Sequence, residues 1–437
     1  MRFPLVGPGL LAVAAVVLVG CSAPGQPDAP ARPNVVVVLV DDLGVEGFSC
    51  YGGESYRTPN VDALAASGVR FTAAHTTPLC TPSRVRLLTG REGLRSYVDF
   101  SVLAPDERTL AHLLREAGYA TGAAGKWQLY GASHYGERAG RGTRPEGAGF
   151  ETWCLWQVEA LGSRYADPTV EVDGELRTLE GAYGPRVFCD WALEFVRAHR
   201  AEPFLLYLPM ALTHDPFEPT PLSVHDGGDR ARTFADMVAY VDLVVGRLTA
   251  ELERLGLRQD TLVIFTSDNG SPRGITSRLT GSDVRGGKGR TTDAGTHVPL
   301  VVSWPGVIAP GTCDDLVDLV DVLPTLVEAC GASLPADREI DGHSLLPRLR
   351  GDDRPVREVL TCWYLPRPLR EDAAEVRWAR DARFKLYGDG RLFDLAADRD
   401  ETRPLEPADP RQRGARERLS RALAELPAAP AKLARPQ

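Results

Sequence analysis

Cysteine is sparse in this chain, and its spacing gives no support to a structural zinc site. The 437 residues contain eight cysteines and eight histidines. They form no Cys-x-x-Cys pair and no mixed Cys/His cluster, although zinc modules require such spacings. The sequence also lacks an internal repeat, so it does not predict a solenoid or a similar repeat architecture.

The chain also lacks an excess of positive charge. Lysine and arginine total 50 against 59 aspartates and glutamates, which gives a formal net charge of -9 with both signs spread along the sequence. This balance argues against a protein that binds nucleic acid. An anionic substrate must therefore be bound by a few locally placed cations.

No apolar run near the N terminus is long enough to span a membrane. Arg2 is followed by an apolar stretch at residues 10–19, so residues 1–20 are predicted to be a signal peptide. The last residues before Cys21 resemble the lipobox of bacterial lipoproteins, which implies export, cleavage before Cys21 and membrane anchoring through lipid on its thiol. An ordinary signal peptide is the alternative. Residues 21–33, rich in Pro, Ala and Gly, predict a flexible linker, and the pairing of the other cysteines stays open.

The rest of the sequence predicts an α/β fold. With 43% hydrophobic residues, the chain can build a large core. Apolar runs at 35–40, 204–208 and 261–267 have the continuous hydrophobicity of strands buried in a parallel sheet, and they alternate with capped helical patterns. Shorter, more polar strands follow residue 359. We therefore predict a catalytic domain over 34–335 and a small C-terminal domain over 336–437.

Acidic and amide side chains follow two of these predicted strands. Asp41 and Asp42 end the first, and Asp268 and Asn269 end another. In open α/β sheets, ligands bind beyond the carboxyl ends of the strands, and such oxygen donors suit a hard cation. A solvated turn is the alternative for the first pair taken alone.

The stretch from residue 80 to 91 reads Cys-Thr-Pro-Ser-Arg-Val-Arg-Leu-Leu-Thr-Gly-Arg. It predicts a helix start that would hold Cys80 beside backbone N–H groups, with Arg84 one turn later, which suits an oxyanion next to a reactive sulfur. Cys-x-Pro-Ser-Arg followed by Leu-Leu-Thr-Gly-Arg resembles the signature of the sulfatase family. The resemblance implies that a maturation enzyme oxidises Cys80 to formylglycine.

Other motifs extend the resemblance. Lys126 lies in Gly-Lys-Trp-Gln-Leu, His214 in Thr-His-Asp-Pro, and Lys288 in Gly-Lys-Gly. In sulfatases the matching lysines hold the sulfate and the matching histidine contacts the leaving group. Gln128 departs from the family, which has a histidine there. Glutamine cannot act as a general base, and His134, a few residues on, is a candidate substitute.

The resemblance covers nearly the whole mature chain and implies an alkaline-phosphatase-like fold. It implies catalysis by Cys80, Arg84, Lys126, His214 and Lys288, and a metal bound by Asp41, Asp42, Cys80, Asp268 and Asn269. The oxygens of Asp41, Asp42, Asp268 and Asn269, with one of the hydrated formylglycine at position 80 and one of the substrate, come to about six ligands, which suits Ca²⁺; Mg²⁺ remains possible.

The implied reaction is hydrolysis of a sulfate monoester, with carbohydrate sulfates as the favoured substrates. Two alternatives stay open. One is a phosphate or phosphonate ester hydrolase of the same superfamily. The other, encouraged by Gln128, is a catalytically silent surface protein that binds sulfated glycans.

Overall fold

The computed structural model describes residues 32–367, 374–406, 412–428 and 430–432. The predicted signal peptide, Cys21 and the linker up to residue 31 lie outside these residues, so export and lipid anchoring stay predictions. Within the described ranges, no helix combines the length and the apolar character needed to cross a membrane.

The secondary structure alternates strands and helices, as the sequence predicts. In chain order the strands are β1 (Asn34–Val40), β2 (Val69–His75), β3 (Tyr97–Asp99), β4 (Val102–Leu103), β5 (Ala120–Lys126), β6 (Thr152–Trp156), β7 (Thr169–Val172), β8 (Glu175–Thr178), β9 (Phe204–Pro209), β10 (Thr261–Ser267), β11 (Thr276–Leu279), β12 (Ser282–Arg285), β13 (Leu300–Ser303), β14 (Gly311–Asp318), β15 (Leu360–Tyr364), β16 (Val376–Arg380), β17 (Phe384–Tyr387) and β18 (Leu392–Asp394). The α-helices are α1 (Pro59–Ala66), α2 (Cys80–Thr89), α3 (Gly93–Ser96), α4 (Leu110–Glu116), α5 (Gly184–Ala198), α6 (Arg230–Arg254), α7 (Asp293–Thr296), α8 (Val322–Ala329), α9 (Leu346–Leu349) and α10 (Arg413–Glu425).

Ten strands form one mixed sheet in the order β14-β2-β13-β10-β1-β9-β5-β6-β7-β8. Its centre is parallel, because β1 pairs in parallel with both β9 and β10, and β5 pairs in parallel with β9 and β6. All seven residues of β1 are buried, as its uninterrupted valines predict for a strand covered on both faces. The short strands β7 and β8 extend one edge in antiparallel fashion.

Helices cover both faces of this sheet. Val35, Val37 and Leu39 point into one hydrophobic cluster with α2, α4 and α8. The alternate residues of β1 point into a second cluster with α1, α5 and α6. Strand alternation therefore divides the core into two layers around the sheet, which confirms the predicted α/β class.

A smaller antiparallel sheet, β15-β16-β17-β18, forms the C-terminal part with α10 packed against it. Buried polar contacts join it to the loop before α7. Glu401 accepts hydrogen bonds from Lys385 Nζ at 2.9 Å and from the backbone N–H of Asp293 at 2.8 Å, and Lys385 also donates to the carbonyl of Thr291. The small C-terminal α+β unit is confirmed, while the boundary at 335/336 stays a prediction.

Candidate active site

The carboxyl ends of the central parallel strands meet at one edge of the large sheet, and the predicted site residues gather there. Asp41 and Asp42 follow β1, and Asp268 follows β10. Lys126 is the last residue of β5. The preceding Gly125 has φ 127°, and a Cβ there would lie 1.9 Å from the carbonyl oxygen of Pro209, so only glycine lets β5 approach β9 this closely.

Cys80 is the first residue of α2 and is 1% exposed. The turn before it is fixed by the hydroxyls of Thr77 and Ser83, whose oxygens lie 2.6 Å apart, and by the bond from the Ser83 N–H to the carbonyl of Leu79. Gly90 ends the helix with φ 66°. The sequence prediction of a helix that starts at the cysteine is confirmed.

The carboxylates form one buried cluster. The backbone N–H of Asp42 donates to Asp268 Oδ1 at 3.1 Å. Asn269 Nδ2 donates to Asp42 Oδ1 at 2.8 Å and to the carbonyl of Gly270 at 2.9 Å. Asp41, Asp42, Asp268 and Asn269 are each 0% exposed, so this negative charge needs compensation within the protein.

Three cationic side chains supply that compensation. Arg84 donates to Asp268 Oδ2 from Nη2 at 2.8 Å and from Nε at 3.1 Å, and its Nη1 donates to the carbonyl of Lys126 at 2.8 Å. Lys126 Nζ lies 2.7 Å from Asp41 Oδ2, and Lys288 Nζ pairs with Asp42. The two lysines thus line the site at the metal-binding carboxylates predicted from sequence.

The cluster has the donor set of a divalent cation site. Asp41 Oδ1 and Asn269 Oδ1 are buried without any hydrogen-bond partner, and a buried oxygen of this kind is costly unless a ligand satisfies it. One potential ligand atom from each of Asp41, Cys80 and Asp268 lies within 4.8 Å of the others. Carboxylate and amide oxygens suit Ca²⁺ or Mg²⁺, so the residues fit the predicted ion.

Burial and charge shift the pKa values in this cluster. Burial would raise the pKa of Asp41, but the combined positive charge of Lys126, His214, Arg84 and Lys288 outweighs it, and the pKa falls below its usual range. The pKa of Asp268 is raised to about 7 by burial and by repulsion from Asp41. Burial also raises the pKa of the Cys80 thiol. Crowded carboxylates of this kind would gain from a bound cation.

His214 follows β9 and faces the same cluster. Its Nε2 lies 3.9 Å from Asp42 Oδ2, and its Nδ1 lies 2.5 Å from the carbonyl oxygen of Asp215. The hydroxyl of Tyr165 donates to the backbone carbonyl of His214 at 2.6 Å, which holds the loop in place. Burial and the charge of Lys126 lower the pKa of His214 to about 4.

Comparison with known proteins identifies this arrangement. The sulfatase family model matches residues 33–332, and the C-terminal model of N-sulphoglucosamine sulphohydrolase matches residues 289–428. Steryl-sulfatase of Mus musculus is 32% identical, over 93% of this chain and 84% of its own length. The chain belongs to the sulfatase family.

Two further comparisons agree with this assignment. N-acetylgalactosamine-6-sulfatase of Canis lupus familiaris is 32% identical to this sulfatase, over 76% of the chain and 69% of the relative. The solved structure of the PsFucS1 sulfatase from Pseudoalteromonas sp. superposes with a TM-score of 0.73 and 25% identity, over 90% of this chain and 89% of that one. This sulfatase is therefore a sulfuric ester hydrolase with the predicted alkaline-phosphatase-like fold.

Other residues weighed from the sequence lie apart from this cluster or at its margin. Gln128 is buried with φ 55°, and its Oε1 has no hydrogen-bond partner. The ring of His134 is exposed, and its centroid lies 3.9 Å from that of the tilted Tyr135 ring. His297 stacks on His75. No described contact brings His134 to this sulfatase's acidic cluster.

Sequence reasoning missed several groups that support the site. The Ser271 hydroxyl donates to the buried carboxyl of Glu46 and accepts from the N–H of Gly44 at 3.1 Å, which fixes the loop after Asn269. Tyr165 lies in a region where no motif stands out. These residues contribute through tertiary contacts, and a sequence pattern carries no signal for them.

Proposed function

We propose that this chain hydrolyses sulfate monoesters to an alcohol and inorganic sulfate, with formylglycine at position 80 and a divalent cation. The main observation that supports this proposal is that Cys80 is buried at the start of α2 against Asp41 and Asp268. The same cluster also contains Arg84 and Lys126. In this proposal the hydrated aldehyde supplies the attacking oxygen. Ca²⁺ is the preferred ion and Mg²⁺ the alternative.

The side chains around Cys80 have distinct proposed roles. Arg84 is held by Asp268 and would orient and acidify the nucleophile from one helical turn away. Lys126 and Lys288 would hold the sulfate oxygens, and the bound cation would neutralise charge on the ester. Removing one preorganised donor of this kind typically costs about 2.7–4 kcal/mol of transition-state stabilisation.

We propose His214 as the group that protonates the leaving oxygen. It is 22% exposed, so it borders the solvent side of the cluster where an alcohol would depart. Because burial and Lys126 lower its pKa to about 4, the ring is neutral at pH 7 in the free protein, and donation requires the negative charge of a bound ester to favour its protonated form. Gln128 cannot take a proton, and no described residue is assigned as the base for release of sulfate.

Sulfated carbohydrates are the substrate class we favour. The comparisons include a sulfatase named for N-acetylgalactosamine 6-sulfate, and the relatives also include a steryl-sulfatase. We further propose that the protein is an exported lipoprotein, anchored through Cys21, and that a formylglycine-generating enzyme matures Cys80.

The mass of the proteolytic peptide that contains Cys80 tests the central proposal, with protein made in a host that matures sulfatases. We expect an aldehyde at position 80 and faster turnover of an aryl sulfate than of the matching aryl phosphate. An intact thiol with no turnover would favour a silent glycan binder, and faster phosphate turnover would favour the phosphohydrolase. The same digest tests the anchor, because a lipid on Cys21 gives the N-terminal peptide a characteristic mass.

Replacing His214 with alanine should slow the hydrolysis of sulfate esters with poor leaving groups more than that of esters with good ones. A nitrophenolate leaves without protonation, whereas a sugar alkoxide does not, and general acid catalysis contributes roughly 10²–10⁴-fold. We therefore expect the kcat for an alkyl sulfate to fall by about 10²-fold or more, and the kcat for 4-nitrophenyl sulfate to fall much less.

The half-buried His199, which pairs with Glu202 at 2.7 Å, is the matched control, and its alanine variant should behave as the parent. Equal losses for both substrates in the His214 variant would assign His214 a role other than proton donation.

A further inference from the structure

A cavity of about 260 Å³ lies beside the proposed active site, between the loop of residues 289–292 that follows Lys288 and the small C-terminal sheet. Its wall includes Gly289, Arg290 and Thr291 from the loop and Tyr364 and Tyr387 from the sheet. Its volume lies just below the about 300–1,000 Å³ of drug-sized ligand sites. The space suits one group of monosaccharide size.

The cavity is close to the reacting groups. Gly289 directly follows Lys288, and its N–H donates to the carbonyl of Pro78 at 2.8 Å, two residues before Cys80. Leu79 packs on the hydrophobic cluster that contains Tyr364 and Tyr387. A substrate whose sulfate reaches Lys288 therefore has its neighbouring group at the mouth of this cavity.

The loop that forms this wall is held rigidly. The N–H of Arg290 closes a turn onto the carbonyl of Gly287 at 2.8 Å. Three residues on, the N–H of Asp293 is bound by Glu401, a carboxylate in the wall whose charge is matched by Lys385 at 2.9 Å. The position of Arg290 is thus fixed from both sides, and Glu401 adds little net negative charge.

Unpaired positive charge remains at the cavity. Arg290 is exposed, and among the described residues no carboxylate lies within ion-pair distance of its guanidinium. Arg391, which also lines the cavity, pairs with Asp389 at 2.8 Å and stacks on Tyr387. In a chain of net charge -9, an unpaired arginine next to the site is suited to a second anionic group on the substrate.

We propose that this cavity is a subsite for a second acidic group, a carboxylate or a sulfate, on the sugar next to the hydrolysed ester, and that Arg290 is its main contact. The proposal rests on the proposed function and narrows its substrate class to polyanionic saccharides. The planar guanidinium can bind either group with two parallel hydrogen bonds.

The test uses the mature full-length protein with 4-nitrophenyl sulfate as the reporter and three competing disaccharides. One carries a single sulfate and a uronic acid, the second is the same compound with the carboxylate reduced to an alcohol, and the third carries two sulfates and no carboxylate. We expect the parent to bind the two disaccharides that carry a second acidic group about tenfold more tightly than the reduced one. This is the gain expected from one hydrogen bond to a charged group.

Arg290→Ala should remove this preference, and Arg290→Lys should restore part of it. Arg350, likewise exposed and without an ion pair among the described residues, lies outside the cavity wall, and Arg350→Ala should keep the preference. Loss confined to the uronate identifies the carboxylate as the ligand, and loss confined to the disulfated compound identifies the sulfate.

Two results would overturn the subsite. The first is that the parent protein binds the three disaccharides with equal affinity. The second is that Arg290→Ala loses the same factor of affinity for all three disaccharides and for the reporter. If the parent does not hydrolyse the reporter at all, the proposed function fails separately. In that case, calorimetric titration of the same disaccharides into the parent and into Arg290→Ala tests the subsite by binding, independently of turnover.

Discussion

Replacing Cys80 with alanine is expected to abolish sulfate ester hydrolysis, with kcat/KM falling by a factor on the order of 10⁴–10⁶, as for the loss of a nucleophile. The side chain is buried at the start of α2, and no other nucleophilic side chain is assigned to the cluster. The variant should still fold, because the change removes only the sulfur atom and leaves no buried polar group without a partner. Initial rates on an aryl sulfate and a thermal melt measure both effects.

Cys80→Ser tests whether turnover requires the formylglycine diol or only a nucleophilic hydroxyl at position 80. A serine hydroxyl could accept the sulfuryl group, but it has no second hydroxyl on the same carbon to expel sulfate. We expect at most one equivalent of alcohol released per protein and a peptide that retains the mass of the sulfuryl group.

Cys50→Ser, at a half-buried position whose backbone N–H binds Asp62, is the matched control and should keep full activity. Sustained turnover by either Cys80 variant would show that position 80 is not the source of the attacking oxygen.

Replacing Asp268 with asparagine is expected to have the next largest effect. Asp268 binds the Arg84 guanidinium through two hydrogen bonds and is 0% exposed. The change removes a proposed metal ligand and leaves Arg84 short of its anionic partner. We expect kcat to fall by about 10²–10³-fold, and bound calcium, measured by elemental analysis of the dialysed protein, to fall below one equivalent.

The same change should lower the free energy of unfolding, because breaking a buried ion pair costs about 3–5 kcal/mol. Asn269→Ala keeps the charge balance but removes the orphaned amide oxygen together with the Nδ2 hydrogen bonds to Asp42 and to the carbonyl of Gly270, so it tests metal binding without the ion-pair loss. Asp314→Asn, at an exposed site that accepts a hydrogen bond from Thr72 at 2.6 Å, is the control.

Chelation should reproduce the loss of activity in the parent protein, and added Ca²⁺ or Mg²⁺ should show which ion restores it. Full activity and unchanged metal content in both the Asp268 and the Asn269 variants would contradict the proposed metal site.

The parts of the fold that sequence predicts are those where burial and chemistry leave a local pattern. The valines of β1 are continuous because both faces of that strand are covered, so the strand and the acids after it could be predicted. The Cys80 helix carries its own start and its glycine stop. By contrast, β8 is exposed along its length and has no apolar pattern that would reveal its pairing with β7.

Contacts between distant segments set the rest of the site. The partners of Lys126 and Lys288 depend on which strands become neighbours, and the sequence does not specify that Lys126 reaches Asp41 while Lys288 reaches Asp42. The cavity at Arg290 exists only because the small sheet packs on the loop after Lys288. Its lining residues come from segments about a hundred positions apart, so no local motif could indicate it.

The contacts of Glu401 and Lys385 with residues 291–293 also determine whether the C-terminal sheet can be exchanged as an independent module. A segment near the end of the chain fixes the backbone that carries a lysine assigned to the sulfate. The C-terminal sheet is therefore not interchangeable with that of a relative on the basis of the catalytic motif alone. Recombination that exchanges this sheet would have to preserve the Glu401 and Lys385 anchors, or it would change turnover and substrate choice together.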